Sequence, residues 1–472
     1  MSTIKKESLS ARTGWKYVFE GGMHAVFKYS SGERKGKLLR VRKEDLTKSA
    51  ISSNSDYVLF FILYIREVVF PRLKPYADVP DTVELTLDQV AELHEEALSS
   101  GKIPELRRDN WKCSNDSTDP VLYILASVSS DYRQISGYEN QGWSIEIKPK
   151  AGFMTFSPIV DPKHRVKYQM TKFAIQQALI ARNIIQKGWM TSSVITHSCS
   201  YNPLGFFSGE EPRIASALAA LFKNPQNFLK VWNKEGNIAH SNLIMNKLVE
   251  EEKSFLNQSL ACILHSENVL SKLLQMQLLD VIDADGAVLV YNRLVELCNG
   301  ERFEAEYLVD NVDLDIASEP FLQFGCLKSS PFQRPNCEAL DRLLSEVDNF
   351  SDPTSKEQSE LDSIYHKSAA IVNKLSKPAC IFLLKNWLLS LAMCDVGILI
   401  ALTPIDQPNA TTTTTTAGVA LKTLQLQGAV TPGMIECNGN KWIYSVKIID
   451  CGNKSAITLR KRARKEQDIE KL

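Results

Sequence analysis

Two lysines, Lys148 and Lys150, stand at the end of a segment in which apolar and charged residues alternate. A period of two predicts a half-buried strand with Glu146, Lys148 and Lys150 on one face. Pro149 can neither extend a helix nor donate to a sheet ladder, so the strand must end there or lie at an edge. Paired ammonium groups at a strand end would attract a multiply charged anion, although an ordinary solvated strand end has the same composition.

One aspartate, Asp395, lies inside the apolar run 391–404, where helical residues give way to strand-like ones. A bare carboxylate buried in such a run would be costly. We therefore expect Asp395 to be paired, hydrogen-bonded or functional. Two interpretations remain open: it caps the strand, or it orients or deprotonates an acceptor hydroxyl.

The N-terminal part of the chain predicts a β-meander with strands at 15–19, 24–29 and 38–42. Gly21-Gly22 lies at its first turn, where glycine would let the backbone approach phosphate oxygens, although most Gly-Gly hairpin turns are only structural. Residues 55–73 predict a buried helix. Residues 86–99 predict a helix with a capping box made by Thr86 and Gln89.

The later chain predicts further elements from the same kinds of pattern. They are a strand at 121–126, helices at 166–183, 212–222, 266–283 and 361–375, and a strand at 442–449. Ser266 is expected to cap its helix. The acidic run 280–285 lacks calcium-loop spacing and is interpreted as helix caps. Residues 351–360 and the threonine run 411–416 are interpreted as loops.

Composition restricts the class of protein. The 472 residues allow two or three domains, and 44% hydrophobic with 23% charged residues is typical of a globular protein. Lys+Arg and Asp+Glu are both 55, so no overall field favours nucleic acid or a membrane. The apolar runs 57–65 and 379–404 are interpreted as core elements. Ten scattered cysteines and an N-terminus without an apolar signal predict a cytoplasmic or nuclear location.

Several segments, in order, resemble one known family. They are Glu146-Ile-Lys-Pro-Lys-Ala-Gly-Phe, Tyr201-Asn-Pro-Leu-Gly-Phe-Phe-Ser-Gly, Pro225-Gln-Asn-Phe, Leu391-Ala-Met-Cys-Asp-Val-Gly-Ile and Asp450-Cys-Gly-Asn-Lys. Together they resemble the inositol-pentakisphosphate 2-kinase family. The resemblance implies an α+β, two-lobed kinase-like fold. Its small β-rich N-lobe would span residues 1–135, and its larger mixed C-lobe, with helical insertions, residues 136–472.

The resemblance also implies a role for individual residues. Asp395 would be catalytic and Asp450 would bind Mg²⁺. ATP would contact Gly21, Gly22, Arg40 and Asp131, with Arg42 as the contact if the register slips. The inositol phosphate would contact Lys148, Lys150, Lys172, Asn227 and Lys454. From the residues alone, an aspartate or asparagine at the positions of Asp131 and Asn227 is more often a turn former.

The sequence departs from the family pattern mainly on the substrate side. Ile175 stands where the family has a lysine, so Lys172 is the proposed substitute, and Gly452 replaces a second acidic residue.

The implied reaction converts ATP and inositol 1,3,4,5,6-pentakisphosphate to inositol hexakisphosphate and ADP. The alternatives are a kinase with another inositol polyphosphate preference and a phosphate-binding pseudokinase scaffold. A nucleic-acid binder would lack interleaved aromatics in its basic C-terminal run. No membrane or nucleic-acid partner is expected, and the protein is expected to be a monomer.

Overall fold

A computed structural model describes most of the chain. The residues it describes are 14–20, 24–29, 36–43, 46, 58, 61–103, 105, 111, 124–131, 133, 135, 142–186, 201–233, 248–299, 355–404, 433–437 and 440–452. The fold is α+β with two antiparallel sheets. It divides into two compact units, Met1–Gln134 and Ile135–Leu472.

The sheet of the first unit has five strands in the order β1-β2-β3-β5-β4. They are β1 (Trp15–Glu20), β2 (His24–Tyr29), β3 (Lys37–Arg42), β4 (Asp81–Leu85) and β5 (Ile124–Ser130). Neighbouring strands are all antiparallel, which confirms the predicted meander. The glycine turn at Gly21-Gly22 lies outside the described residues.

Two helical segments belong to the first unit. Residues 61–73 are helical, with a π-helical turn at Ile65–Val69 followed by α1 (Phe70–Leu73). The predicted buried helix is only partly buried there, because Leu63 is exposed while Ile65 and Val69 are buried. Helix α2 (Leu87–Ser99) has the predicted capping box: Gln89 N–H donates to the Thr86 hydroxyl, and Thr86 N–H donates to the Gln89 side chain.

The second sheet also has five strands, in the order β7-β6-β8-β10-β9. They are β6 (Trp143–Ile147), β7 (Leu229–Trp232), β8 (Gly397–Pro404), β9 (Gly433–Cys437) and β10 (Asn440–Ile449). Strand β6 was predicted to be half-buried, but Glu146 is buried on one face and Ile145 and Ile147 on the other. The predicted alternation of apolar and polar residues is present. The polar face can also be buried, because Lys230 on the neighbouring strand forms an ion pair with Glu146.

The predicted helix 166–183 is two elements. A 3₁₀ helix (Pro162–Tyr168) is followed by a break and by α3 (Lys172–Gln186). Thr171 explains the break, because its hydroxyl accepts a hydrogen bond from Ala174 N–H and so acts as an N-cap. Helices α4 (Pro203–Phe206) and α5 (Glu211–Lys223) follow, and α5 matches the prediction closely.

The predicted helix 266–283 also has the wrong limits. Helix α6 (Glu250–Ser266) ends at Ser266, whose hydroxyl donates back to the carbonyl of Ile263 instead of capping a new helix. Glu267 has an extended backbone conformation, so the helix does not continue through it. Helix α7 (Val269–Gln277) then packs Leu270 and Leu273 into the core, and α8 (Asp283–Leu297) begins separately.

The last helices lead into the middle of the second sheet. Helix α9 (Ser355–Val372) begins earlier than predicted, so residues 355–360 are helical and not a loop. Helix α10 (Lys377–Met393) and β8 are both buried, as the apolar run 379–404 predicted. Among the described residues, no helix is long and apolar enough to cross a membrane. The threonine run lies outside those residues.

Candidate active site

The second sheet brings three chain segments together at one end. Strand β6 ends opposite the start of β8, since Ile147 pairs with Ile398, and β10 ends beside it, since Ile449 pairs with Gly397. All three strands are antiparallel to their neighbours. Residues that follow β6, precede β8 and follow β10 must therefore meet at this end, and these are the segments that carry Lys148, Lys150, Asp395 and Asp450.

Two lysine–aspartate pairs form at this end of the sheet. Lys150 Nζ lies 3.0 Å from Asp395 Oδ1, and Lys148 Nζ lies 3.7 Å from Asp450 Oδ2. The first pair is hydrogen-bonded, whereas the second is a looser ion pair. The lysines were predicted to share a face with Glu146, but the strand ends at Ile147, and each lysine takes a different partner.

Asp395 lies in the short connection between α10 and β8. Its N–H donates to the carbonyl of Ala392, and its side chain is 53% exposed. Asp395 is paired and hydrogen-bonded, as expected, but it is not buried, because the chain leaves the core for these few residues. An exposed carboxylate remains accessible to a substrate.

The backbone at this end of the sheet has an uncommon conformation. Lys150 has a φ of 62° and Asp450 a φ of 61°, which is the left-handed region. Residues other than glycine adopt it at a cost, and such residues cluster at functional sites. Here one member of each lysine–aspartate pair has this conformation.

The turn before β7 lies against the same lysines. Lys148 N–H donates to the carbonyl of Phe228, and Lys150 Nζ lies 5.2 Å from the centre of the Phe228 ring. Asn227 is exposed on this turn, next to Phe228. The structure therefore brings Asn227 into the neighbourhood of Lys148 and Lys150.

Lys172 is held by carboxylates. Its Nζ lies 2.6 Å from Asp280 Oδ2 and 3.2 Å from Asp283 Oδ2, and 5.0 Å from the centre of the Phe153 ring. Burial acts to lower the pKa of Lys172, but Asp280 and Asp283 outweigh it and the pKa is raised. Ile175, at the family's lysine position, is buried. The role of Lys172 toward substrate stays a prediction.

Sequence reasoning missed a buried charge cluster next to Lys172. Lys167 Nζ lies 2.6 Å from Asp283 Oδ1 and 3.0 Å from Asp285 Oδ2, and His164 Nδ1 lies 3.0 Å from Asp285 Oδ1. Burial acts to raise the pKa of Asp283, but Lys167 and Lys172 outweigh it and the pKa is lowered. The interpretation as helix caps holds only for Asp280, which accepts from Asp283 N–H. The sequence feature that could have revealed this cluster is the three-residue spacing of two potential cations, His164 and Lys167.

The first unit contains the predicted nucleotide contacts, apart from the glycines. Arg40 and Arg42 lie on the same face of β3, opposite the buried Leu39 and Val41. Asp131 is buried at the end of β5. Gly21, Gly22 and Lys454 lie outside the described residues.

The carboxylate of Asp131 is bound within its own unit. It accepts two hydrogen bonds of 2.7 Å from the Arg133 guanidinium, and it lies 2.9 Å from Lys28 Nζ. Burial acts to raise the pKa of Asp131, but Arg133 and Lys28 outweigh it and the pKa is lowered. Asp131 Oδ1 also accepts from Arg133 N–H, as in a turn-forming aspartate. A contact with adenosine stays a prediction.

Two ammonium groups and two carboxylates lie together at this end of the sheet, and cations in such an arrangement could contact an anionic substrate. No group of three or more potential metal ligands occurs in the part of the chain that the structure describes.

Comparison with known proteins gives the family. The family model for inositol-pentakisphosphate 2-kinase matches residues 17–468. The inositol-pentakisphosphate 2-kinase of Arabidopsis thaliana is 23% identical over 357 residues, covering 64% of this chain and 75% of that protein. That of Oryza sativa is 26% identical over 322 residues, covering 60% and 70%. That of Danio rerio is 28% identical over 229 residues, covering 46% and 42%. The chain belongs to the inositol-pentakisphosphate 2-kinase family, and it is a kinase.

Proposed function

We propose that this protein transfers the terminal phosphoryl group of ATP to the 2-hydroxyl of inositol 1,3,4,5,6-pentakisphosphate, which gives inositol hexakisphosphate and ADP. The observation that carries the proposal is the pair of lysine–aspartate contacts at the end of the second sheet, in a chain of this family. The lysines supply cations for substrate phosphates. The aspartates supply the two acidic functions that the reaction requires.

Asp395 is the group that faces the acceptor hydroxyl. Its hydrogen bond to Lys150 joins two partly exposed side chains, and such pairs contribute little free energy. A substrate phosphate can therefore take over the Lys150 ammonium group. The Asp395 carboxylate then orients the hydroxyl and accepts its proton. Phosphoryl transfer depends mainly on positioning and charge stabilisation, so one well-placed carboxylate is sufficient.

Asp450 is the residue that would hold Mg²⁺. Its side chain is partly exposed at the end of β10, and Mg²⁺ commonly uses one or two carboxylates with phosphates and water. The single carboxylate fits that pattern. The bound ion would neutralise negative charge on the transferred phosphoryl group. Lys148, 3.7 Å from Asp450, would contact a neighbouring phosphate, as would Lys454 and Asn227.

The first unit would serve as the nucleotide-binding lobe of a two-lobed kinase-like arrangement. Its antiparallel meander supports this proposal, since Arg40 lies on the strand that follows the glycine turn and the second strand. In this arrangement Gly21, Gly22 and Arg40 contact the ATP phosphates. Asp131 would hold the segment after β5 in place through its contacts with Lys28 and Arg133.

A kinase for another inositol polyphosphate is the second candidate. The observation that favours it is the pairing of Lys172 with Asp280 and Asp283. A lysine neutralised by two carboxylates offers less charge to a substrate phosphate. A substrate with fewer phosphates, or with a different vacant position, would fit such a site.

The experiment measures phosphorylation of several inositol polyphosphates by the full chain with ATP and Mg²⁺. Phosphorus NMR of the product identifies the position that is phosphorylated. We expect hexakisphosphate from the pentakisphosphate that lacks a 2-phosphate. Loss of a general base lowers rates by about 10²–10⁴-fold, and we expect such a fall in kcat for Asp395→Asn. Asp450→Asn should raise the Mg²⁺ concentration needed for half-maximal activity.

Asp81→Asn is the matched control, since Asp81 is an exposed aspartate on β4 of the other unit. It should leave kcat unchanged. Phosphorylation of a different inositol polyphosphate would support the second candidate. Nucleotide binding without phosphorylation of any of them would overturn the proposal in favour of a scaffold.

A further inference from the structure

The side-chain amide of Gln277, the last residue of α7, is completely buried and fully hydrogen-bonded. Its Oε1 accepts from Gly152 N–H at 2.8 Å, and its Nε2 donates to the carbonyl oxygens of Lys150 at 2.9 Å and Met393 at 3.1 Å. An amide has two N–H donors, and both are used here. The backbone carbonyl of Gln277 also accepts from the Ser390 hydroxyl.

These bonds connect the two segments that supply one lysine–aspartate pair. Lys150 and Gly152 belong to the segment after β6, and their backbone groups are held by opposite ends of the amide. Met393 ends α10, two residues before Asp395. A single side chain from a third element therefore connects the Lys150 backbone to the chain that leads to Asp395.

The chemistry of the three bonds requires an amide. Two of the three backbone groups are carbonyl oxygens, which need donors, and the third is an N–H, which needs an acceptor. A carboxylate would satisfy only the N–H and would repel the two oxygens. An apolar side chain of the same size would leave all three backbone groups without this partner, and burying unpaired polar groups is costly.

A purely structural role would not need this choice of partners. A core glutamine could bond to groups of its own helix or to any nearby loop. Gln277 instead binds the carbonyl of the left-handed residue Lys150 and the N–H of Gly152 two residues later. It also binds the last carbonyl of the helix that precedes Asp395. Ser390, about one turn earlier on α10, binds the Gln277 backbone and strengthens the same connection.

We propose that Gln277 is a positioning residue, which sets the separation of Lys150 and Asp395 that phosphoryl transfer requires. It does not touch substrate and acts through the backbone of the two site segments. The inference rests on the proposed function, because it assigns Lys150 to a substrate phosphate and Asp395 to the acceptor hydroxyl.

The first test replaces the amide by an apolar side chain of similar length, in Gln277→Met. A displacement of about 1 Å in a catalytic group can lower the rate about 10²-fold, so we expect kcat to fall by about 10- to 100-fold. The KM for ATP should be unchanged. Leu273→Ala is the control, since Leu273 is buried on the same helix and bonds to neither segment. It should lower Tm and leave kcat within about two-fold of wild type.

The second test uses pH, in Gln277→Glu. A protonated glutamic acid keeps one acceptor and one donor, whereas the carboxylate has no donor. Burial and the two carbonyl oxygens raise the pKa of such a group. The ratio of variant to wild-type kcat should therefore rise as the pH falls from about 8.5 to about 6, the range in which buried carboxyl groups can titrate. Protonation would also relieve a loss of stability caused by the buried carboxylate, so the rates are compared at a temperature well below the Tm of the variant at every pH.

Three results decide the inference. Wild-type kcat in Gln277→Met, an equal loss in Leu273→Ala, or a flat ratio across pH in Gln277→Glu would each overturn it. If the wild type phosphorylates no inositol polyphosphate, the proposed function fails separately. The inference is then decided by binding of inositol hexakisphosphate in calorimetry, which Gln277→Met should weaken and Leu273→Ala should not. Equal affinity of both variants would overturn it.

Discussion

At the scale of single residues, exposure separates the two kinds of lysine–aspartate contact in the second unit. The Lys150–Asp395 pair is partly exposed, and pairs of this kind stabilise a protein by at most about 1 kcal/mol. The Lys167–Asp283 pair is almost fully buried, so its charges have little access to water. The exposed pairs can exchange partners with a substrate. The buried pair is a permanent part of the structure.

Asp283→Asn should therefore destabilise the protein, and it also removes one of the two carboxylates that contact Lys172. Removing one partner of a buried pair typically costs about 3–5 kcal/mol, and Asp285, which still contacts Lys167, should keep the loss near the lower end. The folded-state pKa of Asp283 is below its unfolded value, so its contribution is present above the unfolded pKa of about 3.9 and is lost as the pH falls. In urea unfolding, the difference between wild type and variant should be constant above about pH 5 and should shrink as the pH falls to about 3, where part of it remains because the folded-state pKa is lower still.

The control for this prediction is Asp81→Asn. Asp81 is exposed on β4, so its replacement should change the free energy of unfolding by less than about 0.5 kcal/mol at any pH. A difference between Asp283→Asn and wild type that stays constant down to about pH 3 would contradict the sign of the pKa shift.

At the scale of elements, most strands and several helices could be predicted from periodicity, but β4, β7, β9, α6 and α8 were not predicted. The capping box of α2 was found because Thr86 and Gln89 stand at the start of an apolar period. The break at Thr171 was not found, because Thr171 sits inside a continuous helical pattern and its capping bond is visible only in three dimensions. Burial of both faces of β6 was missed for a related reason, since Glu146 looks exposed until Lys230 on the neighbouring strand is known.

The candidate site depended on both resemblance and topology. Periodicity indicated a strand before Lys148 and another before Asp450, but nothing in either strand gives the order β6-β8-β10. That order brings the ends of β6 and β10 to the start of β8. The Gln277 connection could not be predicted at all, because its partners are backbone atoms more than a hundred residues away.

The segment after β6 is closely packed, which gives a prediction for Gly152. A methyl group added there would lie 2.1 Å from Cδ2 of the Phe207 ring. Gly152→Ala must therefore shift the ring or the segment, and overpacking of this kind costs about 1–3 kcal/mol. Because Gly152 N–H also binds Gln277, we expect kcat to fall along with Tm.

Gly205→Ala is the matched substitution. Gly205 lies in α4, and an added methyl group would meet only the carbonyl of Arg213 at an ordinary 3.7 Å. It should be neutral or stabilise the protein by up to about 1 kcal/mol. Equal Tm values for the two variants in a thermal melt would show that the segment after β6 can adapt.

At the scale of the whole molecule, the formal charge is zero, with 55 cationic and 55 anionic side chains. The protein therefore has no net field to attract a substrate that carries many negative charges. Charges farther apart than the Debye length, about 8 Å at physiological ionic strength, are largely screened. Substrate affinity should depend on cations at the end of the second sheet and be insensitive to cations elsewhere.

Lys148→Gln and Lys374→Gln test this directly, because each removes one positive charge from the same neutral protein. Lys374 is exposed just before α10, whose 17 residues span about 25 Å and lead to Asp395 at the other end. Hydrogen bonds to charged groups contribute about 1.5–3 kcal/mol, so Lys148→Gln should raise the KM for the inositol phosphate by about 10- to 100-fold. Lys374→Gln should change it by less than about two-fold, since screening removes its influence. Equal increases in both variants, measured at about 0.15 M salt, would mean that the overall field attracts the substrate and that Lys148 has no special part in binding it.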